Sequence, residues 1–335
     1  MKVMMILPEL VEGGVERHVL DLSNHLCTMG HRVWVVSAGG SLEDRLSPDV
    51  EVLHLPVHLK NPATALYSAV RIARIASNNR LDVIHTHSRV PNWIGWWASR
   101  MSRVPLVITA HSCYRRNVAL LPINRADGVI CVSESVREHL GELLPVRSAV
   151  IFNGMEEPSV TWVGDPGGIP SFLFVGRITQ SKGLGVLLEA LGGVDGDWRL
   201  DVVGDGPQRH QMEALSCRLG LSNRVTFHGF RDDVDHWMSR CSCFVFPSLE
   251  EGMGRTLMRA VQIGTPVMAS NLPAVRELAL DPSELVPAGD PWAWRFALAG
   301  FLRGERPSAR FDPGRIPSVQ TMALRVLDVY RGVLA

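Results

Sequence analysis

Short apolar runs alternate along this chain with stretches in which apolar residues recur every three or four positions, the pattern of strands followed by amphipathic helices. The first run, residues 3–7, leads into a loop closed by Gly13 and Gly14; Val15, Val19, Leu22 and Leu26 then keep helical spacing until Gly30 stops the helix. Further strands are predicted at 33–36, 52–55, 81–84, 106–109, 129–132 and 149–152, with helices near 63–77, 91–102 and 134–141. Together they complete one doubly wound domain over 1–153.

The periodicity then breaks. A segment carrying Pro158, Pro166 and Pro170 with Gly164, Gly167 and Gly168 is expected to form a linker over 154–170. Strand signals restart at 172–175, 200–203, 225–227, 243–246, 266–269 and 284–286, giving a second domain over 171–317, and the chain ends in a helical pattern over 318–335. The fold class is α/β, with two doubly wound, Rossmann-like domains facing across a cleft. A length of 335 residues suits two such domains.

Composition narrows the function classes. With 46% hydrophobic residues, 20% charged residues and a formal net charge of +0, the chain is ordinary globular material rather than a disordered or nucleic-acid-binding one. No apolar run reaches the ~20 residues of a membrane-spanning helix, and the start MKVMMILPELVEGG lacks a cleavable signal's apolar stretch, so a cytoplasmic location is expected. The 6 cysteines form no C-x-x-C pair and no zinc spacing, which predicts reduced thiols and no metal. Basic residues are almost all arginine, which makes Lys182 conspicuous.

Open α/β sheets bind ligands beyond the carboxyl ends of their strands, and the chemistry-bearing residues sit just after predicted strands. Gly13 and Gly14 precede a helix start, where an anion is favoured, although a plain tight turn explains them equally well. His85, His87 and His111 fall at strand ends in IHTHS and ITAHS. Their spacing gives no reason to converge on a metal; His111 is the functional candidate, with His85 and His87 as packing or support. Arg177 and Lys182, in FLFVGRITQSKG, are two cations that suit a departing diphosphate, or else a solvated basic loop. VVGDGP adds a glycine turn at the same edge. In FVFPSLEEGMGRTLMRA, Glu251 suits sugar hydroxyls and the amides after Met253 suit a phosphate, while a bare helix cap would use the same residues.

In order along the chain, GGVERHVLDLSNHL, HTHS, TAHS, FVGRITQSKGLGVLLEAL, VVGDGP, FHGF and PSLEEGMGRTLMRAVQIGTPV resemble the retaining, nucleotide-sugar-dependent glycosyltransferases of family 4, with the GT-B fold. The resemblance implies that Gly13 and Gly14 approach the donor's distal phosphate or sugar, and that His111 lies beside the transferred sugar. It implies that Arg177 and Lys182 bind the diphosphate, that Glu251 holds sugar hydroxyls, and that amides around Met253, Gly254 and Arg255 complete the phosphate cradle. Gly229 and Phe230 would lie against the nucleobase, and the last helix would pack back on the first domain. No cofactor is implied beyond the nucleoside diphosphate sugar as co-substrate, and the acceptor would be a glycan or lipid-linked molecule. The family's second, ribose-binding glutamate is replaced by Arg259, which cannot accept a hydrogen bond.

The expected activity is therefore a metal-independent, retaining hexosyl transfer in cell-surface polysaccharide synthesis. A nucleotide-sugar epimerase of the same build, or a donor-blind relative acting as an interaction partner, are the alternatives. RVPNWIGWWASRMSR sets Trp93, Trp96 and Trp97 among arginines, which suits peripheral membrane contact as well as core packing of that helix.

Overall fold

The computed structural model describes residues 1–114, 117–305 and 308–335. The first strands and helices are β1 (Lys2–Ile6), α1 (Gly14–Thr28), β2 (Arg32–Ser37), β3 (Glu51–His54), α2 (Pro62–Asn79), β4 (Val83–His87), α3 (Arg89–Ser102), β5 (Leu106–Ala110), α4 (Leu121–Asn124), β6 (Gly128–Cys131), α5 (Glu134–Leu140) and β7 (Ser148–Val150). There follow β8 (Ser171–Val175), α6 (Leu184–Leu191), β9 (Arg199–Val203), α7 (Arg209–Arg218), β10 (Val225–Gly229), α8 (Val234–Arg240), β11 (Cys243–Phe246), α9 (Arg255–Ile263), β12 (Val267–Ala269), α10 (Pro273–Arg276), α11 (Pro291–Leu302) and α12 (Val319–Leu334).

The chain divides into two compact units, Met1–Gly154 with Pro317–Ala335, and Met155–Ile316. The first holds a seven-stranded sheet in the order β3-β2-β1-β4-β5-β6-β7, the second a five-stranded sheet in the order β10-β9-β8-β11-β12. Every pairing between named strands is parallel. Each sheet is doubly wound, as the alternation of short runs and helical periods requires. The central strands β4, β5 and β8 are buried along their whole length because helices cover both faces.

In the first unit Val3, Met5, Val35 and Val107 of the sheet pack with Leu22 and Leu26 of α1 and with Met322, Val326 and Tyr330 of α12. The last helix is therefore part of the first unit's core. In the second unit Phe172, Phe174, Leu200 and Val245 pack against Leu187 and Leu188 of α6 and Trp294 of α11.

Two expectations are corrected. Of the segment 154–170 read as a linker, residues 155–170 belong to the second unit: the Trp162 amide donates to Ile263 O at 2.8 Å, Trp162 Nε1 to Cys241 O at 2.9 Å, and the Val163 amide to Ser239 O at 2.9 Å. Proline and glycine suppressed periodicity there without preventing backbone bonding to neighbours. Residues 284–286 do not form a full strand. Ser270 and Val286 make a single parallel bridge, and Pro287, lacking an amide hydrogen, cannot extend it.

Candidate active site

In the first unit, α1 begins at Gly14 directly beyond the loop after β1, with Gly13 as an extended cap residue that offers no side chain. A Cβ at Gly13 would come within 2.2 Å of Glu16 Oε2, so the Glu16 carboxylate folds back over the helix start. An acid in this position complements the positive end of the helix dipole.

The register of β4 against β5 sets His85 opposite Val107 and His87 opposite Thr109. His85 is buried and hydrogen-bonded through Nδ1 to Tyr330 Oη and through Nε2 to Thr109 Oγ1, both at 2.7 Å, so it joins the sheet to α12. His87 is also buried, with Nδ1 3.0 Å from Nε2 of half-exposed His111 just beyond β5. His18, one turn into α1, completes the group: its ring centroid lies 5.4 Å from that of His87 and 4.9 Å from that of His111. One nitrogen from each of His18, His87 and His111 lies within 4.8 Å of the others.

Burial, then repulsion from His18, pushes His85 down to about 3. Burial, then repulsion from His85, His111 and His18, holds His87 well below the ordinary histidine value. Both are neutral imidazoles near pH 7. Ser88, directly after His87, adopts φ 80° and ψ 158°, a backbone region in which only glycine is comfortable.

Sequence reasoning found His85, His87 and His111 but did not assemble the group and overlooked His18. The available signal was a histidine four positions after Gly14, on the same face as Leu22 and Leu26, where a polar side chain needs a partner from another element.

In the second unit the loops beyond β8, β9, β10 and β11 lie at one edge of the sheet. The Gly204 amide donates to Gly229 O at 2.7 Å, and the Ile178 amide to Asp205 O at 2.8 Å. The loop carrying Lys182 is fastened to the loop after β11 by the Leu249 amide, which donates to Ser181 O at 2.7 Å. Gly183 lets them approach: it has φ 68°, and a Cβ there would lie 1.9 Å from Pro247 O.

That fastening brings Lys182 Nζ onto Glu251 Oε1, which also accepts from Ser248 Oγ at 2.8 Å. One carboxylate oxygen is thus held by two donors, which fixes how Oε2 is presented. Arg177, two residues beyond β8, is exposed and makes no ion pair with any described residue. Gly254 caps the start of α9 in the left-handed conformation, and a Cβ there would press to 2.9 Å from the Phe246 ring. Met253 is buried, and Arg255 opens the helix. At the end of β10, Gly229 receives the Gly204 amide, and Phe230 is half exposed. The structure thus gathers Arg177, Lys182, Glu251, Gly254 and Gly229 at one sheet edge.

Arg259 lies one turn further along α9. Its Nε pairs with Asp235 Oδ1 of α8 at 2.9 Å, and its Nη1 donates to Glu156 O at 2.6 Å and to Gln262 Oε1 at 3.3 Å. The charge that the sequence left unexplained is met within the same unit.

Comparison with known proteins places these features. Residues 12–157 match the family described as Glycosyltransferase Family 4, and residues 169–303 match Glycosyl transferases group 1. The phosphatidyl-myo-inositol mannosyltransferase of Mycobacterium leprae is 29% identical over 99% of this chain and 97% of its own length. The D-inositol 3-phosphate glycosyltransferase of Xylanimonas cellulosilytica is 28% identical, covering 95% of this chain and 91% of its own. The crystal structure of Anabaena HepE in complex with UDP and glucose shares the fold, with a TM-score of 0.84 at 20% identity over 99% of this chain and all of that one.

Proposed function

Because this chain belongs to the family 4 glycosyltransferases, with their GT-B fold of two Rossmann-like domains, we propose that it transfers a hexose from a nucleoside diphosphate sugar to a glycan or lipid-linked acceptor, with retention of anomeric configuration, in cell-surface polysaccharide synthesis. The observation that carries the reading is the carboxylate of Glu251, held by Lys182 and Ser248 just before the start of α9, with Arg177 in the loop that carries Lys182. Two cations and a helix N-terminus suit a diphosphate, and an immobilised carboxylate oxygen suits neighbouring sugar hydroxyls. Relatives that act as mannosyl and inositol-phosphate glycosyltransferases support the substrate class.

The diphosphate departs toward Arg177 and Lys182, which stabilise charge as it develops on the leaving group. The acceptor hydroxyl attacks from the same face of the sugar and passes its proton to the departing phosphate. His111 is assigned to the transferred sugar, and Gly229 and Phe230 to the nucleobase. Protein cations and the helix N-terminus take the role a metal would otherwise serve, so no resident metal or cofactor is needed. A panel of nucleotide sugars, assayed for donor hydrolysis and for transfer with and without chelator, tests this. Release of sugar from one donor, insensitive to chelator, is expected; silence with every donor would overturn the reading in favour of a donor-blind partner.

The acceptor proposal draws on a second observation. Between Glu51 and Asp127, Asp82 is the sole acidic residue, while α2 carries Arg71 and Arg74 and α3 carries Arg89 and Arg100 without a carboxylate on either helix. On the outer face of α2, Arg71 and Arg74 stand beside Leu66 and Tyr67, each 53% exposed, with Leu59 and Lys60 just before the helix. Trp93, Trp96 and Trp97, in contrast, are half-buried, with Trp93 meeting the other two edge to face. Basic side chains among exposed apolar ones suit the anionic surface of a bilayer. No described helix is long and apolar enough to cross a membrane. We therefore assign a cytoplasmic location at the inner membrane face and a lipid-linked acceptor. Co-sedimentation with anionic vesicles, lost in high salt or with zwitterionic vesicles, is expected, and equal pelleting with both would overturn the assignment.

A further inference from the structure

We propose that His18, His87 and His111 form a binding site for one zinc ion, and that its occupation reversibly silences the enzyme. Three elements distant in sequence, α1, the end of β4 and the segment beyond β5, each contribute one imidazole. A zinc ion bonding imidazoles at ~2.0–2.1 Å in a tetrahedral array spaces their ring centroids roughly 5 Å apart. The three centroid separations here are 4.9, 5.3 and 5.4 Å. The triangle therefore has the right size on all three sides, and one nitrogen of each ring already lies within 4.8 Å of the others.

The chemistry of the set points to the same class of ion. Neutral imidazoles without carboxylates or thiolates suit zinc and its borderline neighbours rather than magnesium or calcium. His87 and His111 now share a proton along the 3.0 Å contact between Nδ1 and Nε2. Coordination needs a lone pair from each, so the proton moves to the other nitrogen of its own ring, and the ligands' net charge is unchanged. His87 Nε2 is buried and has no hydrogen-bond partner among the described residues, so this ring gains little from the protein alone. Three protein ligands leave a fourth tetrahedral position for water.

The inhibitory half rests on the proposed function, in which His111 serves the transferred sugar; a metal bonded to His111 withdraws it from that role. The binding half does not depend on that reading.

The test uses the whole chain with the exposed thiols of Cys113 and Cys217 alkylated, so that they cannot ligate metal. Zinc is titrated by calorimetry and cobalt by visible absorption, with no donor present. One ion per chain and the strong d–d bands of tetrahedral cobalt are expected. Affinity should fall by at least about 10- to 100-fold in His18→Gln, since losing even an outer-shell partner typically costs that much. X-ray absorption at the metal edge of the zinc-loaded, unmutated chain provides a variant-free readout: three imidazole ligands are expected. No binding, sulfur ligation, or equal affinity in a folded His18→Gln chain would each overturn the site. In the transfer assay, zinc should inhibit the unmutated enzyme, chelator should restore it, and His18→Gln should be insensitive. Zinc that binds without inhibiting overturns the regulatory half. A chain that binds zinc yet transfers no sugar from any donor even with chelator present overturns the proposed function and leaves the site standing.

Discussion

Lys182 Nζ rests on Glu251 Oε1, joining two loops 69 residues apart at the ends of neighbouring strands β8 and β11. Arg177, in the same loop as Lys182, has no such partner among the described residues. The two cations assigned to the diphosphate thus differ in what else they do, and that difference can be measured.

Arg177→Ala should lower turnover roughly 100-fold, the usual cost of one lost electrostatic contact to a transition state, about 3 kcal/mol, with thermal stability unchanged. Lys182→Ala should lower turnover at least as far and also destabilise the fold, because Glu251 loses one of its two donors. Steady-state kinetics and thermal unfolding of both variants decide it, and normal turnover in either would remove that residue from the site.

Arg259→Glu should destabilise the second unit by about 1 to 2 kcal/mol, because the new carboxylate faces Asp235 where the native side chain pairs with it at 2.9 Å. Adding Asp235→Arg should recover part of the loss by restoring opposite charges. Urea unfolding of the single and double variants measures the coupling; additive losses would show that the pair contributes nothing.

Stability should fall on mild acidification. His85 is held at about 3 in the folded chain, chiefly by burial, against roughly 6.5 when unfolded. The unfolded chain therefore binds a proton that the native chain refuses between those values. This stability is complete above pH ~6.5 and is lost as pH falls toward 3, at up to about 1.4 kcal/mol per pH unit. His85→Asn, which keeps a donor and an acceptor for Tyr330 and Thr109, should flatten the slope in urea titrations at successive pH values.

Ser88→Gly should stabilise the chain by about 1 kcal/mol, since the native φ of 80° strains a residue with a side chain. An unchanged unfolding midpoint would mean that the lost chain entropy of glycine cancels the relief.

The glycosidic linkage formed should keep the donor's anomeric configuration, a point that proton NMR of the product settles. An inverted product would remove the same-face mechanism.

The sequence by itself determined the fold class and where each chemical group would stand along the strands. The periods of two and of three to four residues are local properties, and the placement of motifs after strands follows from parallel connectivity. Pattern alone therefore divides the chain into two Rossmann-like sheets, with Arg177, Lys182 and Glu251 beyond strand ends. Local pattern fails where structure is not periodic. Residues 155–170 look like a linker because proline and glycine suppress periodicity, yet the Trp162 and Val163 amides find carbonyls in the second unit. Only the tertiary structure decided which side chains meet. His18, His87 and His111 come from separate elements whose approach depends on strand register and on the packing of α1 against the sheet. Arg259 finds Asp235 because α8 packs beside α9, and His85 meets Tyr330 because the last helix belongs to the first core. These contacts join positions far apart in the chain, and the spacing of residues along it carries no record of distances set by packing.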